Sequence, residues 1–275
     1  MESVEVRDAP TAWPNVDQAV DPARLVRYLD AVGAIVEAQQ YKRQTFAALE
    51  IEPGHRVLDV GCGTGEDVRM LAQFVGLAGR AVGVDSSNVM ITEATRRALG
   101  TDLPVEFRAA SVYCLPFPDA AFDGCRADRM FQHLDDPRTA LCEMSRVVRS
   151  GGRIVVSEPD WDTLIVDADR DATRMILHAR CDRYRSGRIG RQLAGLFRKC
   201  GLLDVVTMPP TTFVVTSYDR ANDIFGLRDA ADRARDAGVV SAAQAGDWLG
   251  QLEEADRTGC FFSAGTLFTV VGRRA

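Results

Sequence analysis

The chain has 275 residues, 46% hydrophobic and 26% charged, with a formal net charge of -6 at pH 7. This size suits one α/β domain with embellishments, and its core is large enough to stand without staples. The acidic balance excludes a broad electrostatic grip on nucleic acid, which needs clustered Lys and Arg. Cys62, Cys114, Cys125, Cys142, Cys181, Cys200 and Cys260 are odd in number and irregular in spacing, and no CxxC pair occurs. That excludes a zinc site or disulfide framework and makes reduced thiols the expectation. The N-terminal Met1-Glu2-Ser3-Val4-Glu5 has no apolar signal core, and no apolar run approaches the ~18 residues of a membrane span. A soluble, cytoplasmic protein is expected.

Residues 1–20, with Pro10, Trp13 and Pro14, read as an irregular lead-in. Asp21-Pro22 pairs an N-cap with proline at the first helical position. Leu25, Tyr28, Leu29, Val32, Ile35 and Val36 then recur at helical spacing toward Leu49, with a break near Gly33. From Arg56 strands and helices alternate. Strands are expected at Arg56–Val60, Arg80–Asp85, Val105–Ala109, Phe122–Ala127 and Arg153–Glu158. Helices follow the first (to Phe74), the second (Ser87 to Leu99) and the fourth (Asp136 to Arg149). Such alternation means right-handed βαβ units and a parallel sheet covered on both faces. Beyond it lie an insertion at 161–187 with a helical stretch at Met175–Tyr184, a helix from Gly190 to Cys200 and a strand from Leu203 to Met208. Two helices split near Gly238 fill 218–257, and a last strand spans Gly265–Gly272. These last strands bring the expected sheet to seven.

The informative segment is Val57-Leu-Asp-Val-Gly61-Cys-Gly63-Thr-Gly65, a buried strand running into three glycines. Glycine turns tightly and lets a ligand lie against bare backbone. The helix that follows offers unpaired N–H groups and a positive dipole end. A dinucleotide fingerprint reads G-x-G-x-x-G, whereas the spacing here is G-x-G-x-G. Glu66 and Asp67 open the helix, where two acids would repel a pyrophosphate. Both features disfavour NAD and point to a ligand without phosphates. Asp59, on the strand beside the turn, suits a cationic amino group. Asp85, ending the second strand, is placed to accept both hydroxyls of a ribose, with Met90 one turn into the next helix as a candidate adenine neighbour.

VLDVGCGTG, GVDSS with Met90, LPFPDAAFD (115–123), QHLDDP (132–137) and SGGRIVVSEPDW together resemble the class I S-adenosylmethionine-dependent methyltransferases. The likeness is nearest to the branch of ubiquinone and menaquinone C-methyltransferases and bacterial natural-product enzymes, and it covers residues 40–160. It implies an α/β, Rossmann-like, seven-stranded, mostly parallel sheet with helices on both faces. It also implies S-adenosylmethionine as cofactor, with S-adenosylhomocysteine as product. Gly61, Gly63 and Gly65 would border the methionine part and Asp85 the ribose, Asp59 would work near the methionine ammonium through water, and Ser86 would also contact the cofactor. Where the family usually carries an acid for the adenine amino group, this chain has Ser111, so Ser111 and the Val112 N–H are left to hold the ring.

Methyl transfer from a sulfonium is an in-line displacement whose reagent arrives activated, so the protein mainly aligns the nucleophile and excludes water. A base is needed only if the nucleophile must lose a proton. Arg126, at the carboxyl end of the fourth strand, is a candidate partner for the cofactor carboxylate. His133 is the candidate base. Glu158, Asp160 and Trp161 end the fifth strand beside the same crevice. Trp13, Tyr28, Phe46, Trp161, Tyr184 and Phe225 are candidates for an apolar pocket wall, and Arg183, Arg185, Arg188 and Arg191 form the one basic cluster. The expected organisation is a helical segment over the active site at 1–50, a cofactor-binding core at 51–160, and cap helices with the closing strands at 161–275. The expected activity is methylation of an O or C nucleophile on a mid-sized, largely apolar metabolite by a monomer or homodimer. The alternative is the same fold repurposed for non-methylating catalysis, such as a cyclisation, or for binding alone.

Overall fold

The computed structural model describes residues 13–19 and 21–275. The lead-in contains a short 3-10 helix at Trp13–Gln18. Asp21 caps the first α-helix, α1 (Pro22–Gly33), by accepting from the Arg24 N–H, and Pro22 occupies its first turn. The break expected near Gly33 is present, and α2 (Val36–Ala48) follows it.

The alternating region runs β1 (Arg56–Val60), α3 (Glu66–Val75), β2 (Arg80–Asp85), α4 (Asn88–Ala98), β3 (Val105–Ala109), β4 (Phe122–Asp128), α5 (Pro137–Val147) and β5 (Val148–Val166). There follow α6 (Arg170–Asp182), α7 (Ile189–Lys199), β6 (Leu203–Thr207), β7 (Thr211–Val215), α8 (Tyr218–Phe225), α9 (Leu227–Asp236), α10 (Ala242–Arg257) and β8 (Ser263–Arg273). The strand order is β3-β2-β1-β4-β5-β8-β6, with β7 also beside β8. The pairs from β3 to β5 are parallel, whereas β8 runs antiparallel to β5, β6 and β7. Alternate side chains feed the two faces. Leu58, Val82 and Ile154 pack beneath α5 and α7 with Met144 and Phe197, while Val57, Ala81 and Val155 pack against α2 and α3 with Phe46, Leu71 and Val75.

Three expectations are corrected. The described residues hold eight strands, not seven, because Pro209-Pro210 interrupts the edge. β6 pairs Leu203 to Thr207 with Arg273 to Val270, and β7 resumes along the same edge, pairing Thr211 to Val215 with Leu267 to Ser263. A proline supplies no N–H to the ladder, so one lane becomes two strands. The fifth strand, expected at Arg153–Glu158, runs over 19 residues to Val166. The boundary drawn at residue 160 therefore falls inside a strand, and the insertion begins as more sheet. The span 218–257 holds three helices, because Gly226, in the left-handed region at φ 64°, ends α8 and starts α9.

The cap has its own core. Leu164, Ile176, Phe225, Leu227 and Phe261 gather around Trp248, whose indole N–H donates to Thr173 Oγ1 at 2.8 Å. Among the described residues no helix is long and apolar enough to cross a membrane.

Candidate active site

The turn after β1 is built for close approach. Gly61 sits at φ 75°, and a Cβ there would stand 2.6 Å from Met130 Cγ. The N–H groups of Gly61 and Cys62 both donate to the Val84 carbonyl, at 2.7 and 3.0 Å, tying the turn to the end of β2. Asp85 completes the link: one carboxylate oxygen accepts from the Gly63 N–H and the other from the Ser87 N–H, each at 2.9 Å. Burial raises the Asp85 carboxyl above its ordinary value.

A cavity of about 360 Å³ opens at the carboxyl ends of the strands, within the size range of small-molecule sites. Gly61, Gly63, Asp85, Ser86, Met90, Ser111 and Val112 line one end, and Val16 reaches it from the lead-in. Asp17 fastens that lead-in to the start of α4, accepting from the Ser87 hydroxyl and from the N–H groups of Asn88 (2.9 Å) and Val89 (3.2 Å). The other end is walled by Tyr28, Ile35, Trp161, Tyr184, Phe213, Phe225 and Leu267. The Trp161 and Tyr184 rings stack at 5.1 Å with 21° between planes, the Arg180 guanidinium lies 4.0 Å from the Trp161 ring centroid, and the Trp161 N–H donates to Gln132 Oε1 at 2.6 Å.

Other expected site residues lie elsewhere. Arg126, assigned to a cofactor carboxylate, is buried behind the cavity and already engaged. Its guanidinium reaches Asp59 (2.9 Å), Asp67 (2.7 Å), Asp128 (3.3 Å) and Thr45 Oγ1 (3.1 Å), over the Phe46 ring. Asp59, assigned to a ligand ammonium, faces Arg126 instead, and burial pushes its carboxyl up to about 7 against the pull of that cation. Asp67 is buried too, yet Arg126 and Lys42 together hold it at about 2, Lys42 Nζ lying 2.9 Å away. Its charge is thus neutralised, which weakens the repulsion argued against a pyrophosphate. Gly65 does not line the cavity. It caps α3 in the left-handed region, and a Cβ there would meet the Phe107 ring at 2.5 Å. Phe46 belongs to the core behind the sheet, and the side chain of Trp13 lies outside the described residues.

His133 does line the cavity, but burial, with Arg185 and Arg129 nearby, drives its pKa down to about 3. It is a neutral imidazole and a weak proton acceptor. Glu158 serves its neighbour loop: the carboxylate accepts from the N–H groups of Met130 and Phe131 (2.6 Å each) and Gln132 (3.2 Å). Asp160 is gripped by Arg191, 2.7 Å away. The basic cluster is paired throughout: Arg183 with Asp229, Arg185 with Asp135, Arg188 with Asp182, and Arg191 with Asp160 and Asp162.

Two residues escaped sequence reading. Arg129, not Arg126, is the arginine of this segment that faces the cavity. It sits at φ 53° with its N–H donating to the Ser157 carbonyl at 2.8 Å, and a left-handed arginine leaves no mark in a sequence. Tyr41 donates its hydroxyl to Asp128 at 3.0 Å, joining α2 to the end of β4. A tyrosine on a helix gives no hint of such a partner.

A sheet of this order, with its cleft at the glycine turn and an acid ending β2, defines the Rossmann-like methyltransferase fold. The family description "Methyltransferase domain" matches residues 58–156. The chain is 40% identical over 251 residues to an uncharacterised 37.1 kDa protein in transposon TN4556 of Streptomyces fradiae, covering 90% of this chain and 71% of that one. It is 31% identical over 140 residues to a demethylmenaquinone methyltransferase of Bacillus cereus, covering 50% of this chain and 59% of the relative. Phosphoethanolamine N-methyltransferase 2 of Haemonchus contortus, solved with S-adenosyl-L-methionine, shares the fold at a TM-score of 0.61 and 15% identity, covering 96% of this chain and 60% of that one. Residues 58–156 thus carry a methyltransferase domain, on the fold of the class I S-adenosylmethionine-dependent methyltransferases.

The residues present fit that cofactor. Gly61, Gly63, Asp85, Met90 and Val112 all line the cavity, where the glycine turn would border the methionine part, Asp85 would accept the ribose hydroxyls, and Met90 and Val112 would flank the adenine.

Proposed function

We propose that the protein methylates an oxygen or carbon nucleophile of a mid-sized, largely apolar small molecule. The observation that carries this reading is the continuity of the cavity, from Gly61 and Asp85 at one end to the Trp161, Tyr184 and Phe225 wall at the other. S-adenosylmethionine, when bound, supplies an electrophilic methyl group on sulfur. The protein's part is alignment and exclusion of water. Gly61 and Asp85 fix one partner, and the aromatic wall orients the other. α1 and the lead-in cover the opening.

Proton removal is weakly provided for. His133 is held neutral by burial, and the wall carboxylates are occupied, Asp128 by Tyr41 and Arg126 and Asp160 by Arg191. That supports an acceptor that ionises easily by itself, an enol carbon or a phenolic oxygen. Arg129 also lines the cavity, with its guanidinium 3.7 Å from the Asp128 carboxylate.

The test is calorimetric titration of S-adenosylmethionine into the wild type and Asp85→Ala, followed by transfer of labelled methyl groups to a panel of phenols, enols and amines. The expected results are tight binding weakened at least about tenfold in the variant, one charge-assisted bond contributing about 1.5–3 kcal/mol, and label on phenols or enols. Label confined to amines would overturn the acceptor assignment. Binding with no transfer to any acceptor would favour the repurposed fold.

A further inference from the structure

Cys142 and Cys200 lie away from the cavity, on neighbouring elements of the same sheet face. Cys142 is on the exposed side of α5, and Cys200 is the half-buried cap residue at the end of α7. Their sulfurs approach to 2.8 Å across 58 residues of chain, less than an ångström beyond a disulfide bond of about 2.05 Å. The approach is set by packing behind the two thiols: Leu141 and Met144 of α5 and Leu193 and Phe197 of α7 share one buried cluster. The other five thiols are placed differently. Cys62, Cys125 and Cys181 are buried, and Cys114 and Cys260 are exposed with no sulfur beside them among the described residues.

We propose that Cys142 and Cys200 form a reversible redox site that closes into a disulfide by exchange with a low-molecular-weight disulfide. The Cys142 thiolate attacks one sulfur of the external disulfide, forming a mixed disulfide and expelling the first small thiolate. Cys200 then gives its proton to water and attacks Cys142 Sγ, expelling the second. Two protein thiols are oxidised to one disulfide, and the external disulfide is reduced to two thiols. The order follows from exposure. Cys142 meets solvent, whereas burial and the adjacent Cys142 push the Cys200 thiol up to about 12. The product staples α5 to α7 and restricts the unfolded chain across a long loop, which raises stability. Neither sulfur borders the cavity, so thermal stability is the readout.

The experiment incubates the full-length protein with glutathione disulfide, then records intact mass, a peptide map without reductant, and the melting temperature. A Cys114→Ser/Cys260→Ser background removes the other exposed thiols. The expected outcome is loss of two hydrogens with no retained glutathione, a cross-linked peptide pair containing Cys142 and Cys200, and a melting temperature several degrees higher, all reversed by dithiothreitol. In Cys200→Ser a stable glutathione adduct should remain on Cys142, and the rise should vanish. Retained glutathione on Cys142 with Cys200 intact, or two free thiols after treatment that modifies Cys114 and Cys260 in the unsubstituted protein, would overturn the proposal.

Discussion

Asp59 and Arg126 are register partners on the adjacent parallel strands β1 and β4, and their side chains meet at 2.9 Å on one buried face of the sheet. Around Arg126 the carboxylates of Asp67 and Asp128 complete a cage that joins β1, the start of α3 and the end of β4. Removing one member of a buried ionic cluster strands the others, at a cost of about 3–5 kcal/mol. Arg126→Met should therefore destabilise the fold by that order in urea unfolding, while Asp59→Asn should cost less because its carboxyl already leans toward the neutral form. A loss below ~1 kcal/mol for Arg126→Met would show that the cage does not hold these strands.

His133 gives the pH prediction. Its folded pKa of about 3 lies below the ordinary 6.5, so between those values the unfolded chain binds the extra proton. The stability this group contributes is present above pH 6.5 and is lost as pH falls through that window. The wild-type melting temperature should drop between pH 6.5 and 4 more steeply than that of His133→Gln. The imidazole resonances of His133 should stay flat over the same range. A titration centred near 6.5 would mean that the ring is solvated and able to serve as a base.

Asp17 gives a kinetic one. Its carboxylate is the hydrogen-bonding hold of the lead-in on the α4 N-terminus, where anions also meet a favourable helix dipole. Asp17→Ala should raise the cofactor dissociation rate severalfold in stopped-flow measurements and leave global stability within about 1 kcal/mol. An unchanged rate would mean that the lead-in does not cover the site.

Ser111 lines the cavity and accepts from the Tyr113 N–H at 3.3 Å. A carboxylate there would accept a stronger bond from an exocyclic amine. Ser111→Asp should tighten S-adenosylmethionine binding in calorimetry by about fivefold to tenfold, one hydrogen bond being of order 1 kcal/mol. Weaker binding would place the adenine away from this residue.

Much of this was legible in the chain itself. Periodicity located every strand from Arg56 to Ala109 to the residue, because short parallel strands bounded by caps, glycines and a proline leave sharp edges. The turn after β1 was legible for the same reason: Gly61 and Gly63 adopt the positive φ that only glycine takes readily, and Asp85 ends β2 beside them. Arg126 and Arg129 show where reading stops. Both stand near one strand end, and which of them meets the cavity depends on the strand's alternation and on a left-handed residue after it. Asp59 was misplaced with Arg126, since only the sheet register reveals that they face each other. The extension of β5 past Asp160 was hidden because its partner, β8, lies about a hundred residues away.

That extension bears on what the cavity accepts. β5 and β8 pair from Arg153 with Arg273 to Asp160 with Thr266, shift register, and pair again at Ile165 with Ala264 and Val166 with Ser263, so the cap joins the same two strands as the cofactor cleft across an irregular stretch. The described lead-in residues and α1 contribute Val16, Tyr28, Leu29 and Val32 to the cavity wall and are tied in by contacts such as Asp17 with the Asn88 N–H rather than by strand pairing. Changes in the cap segment, which supplies Trp161, Tyr184 and Phe225 to the wall, should therefore alter what fits inside the cavity.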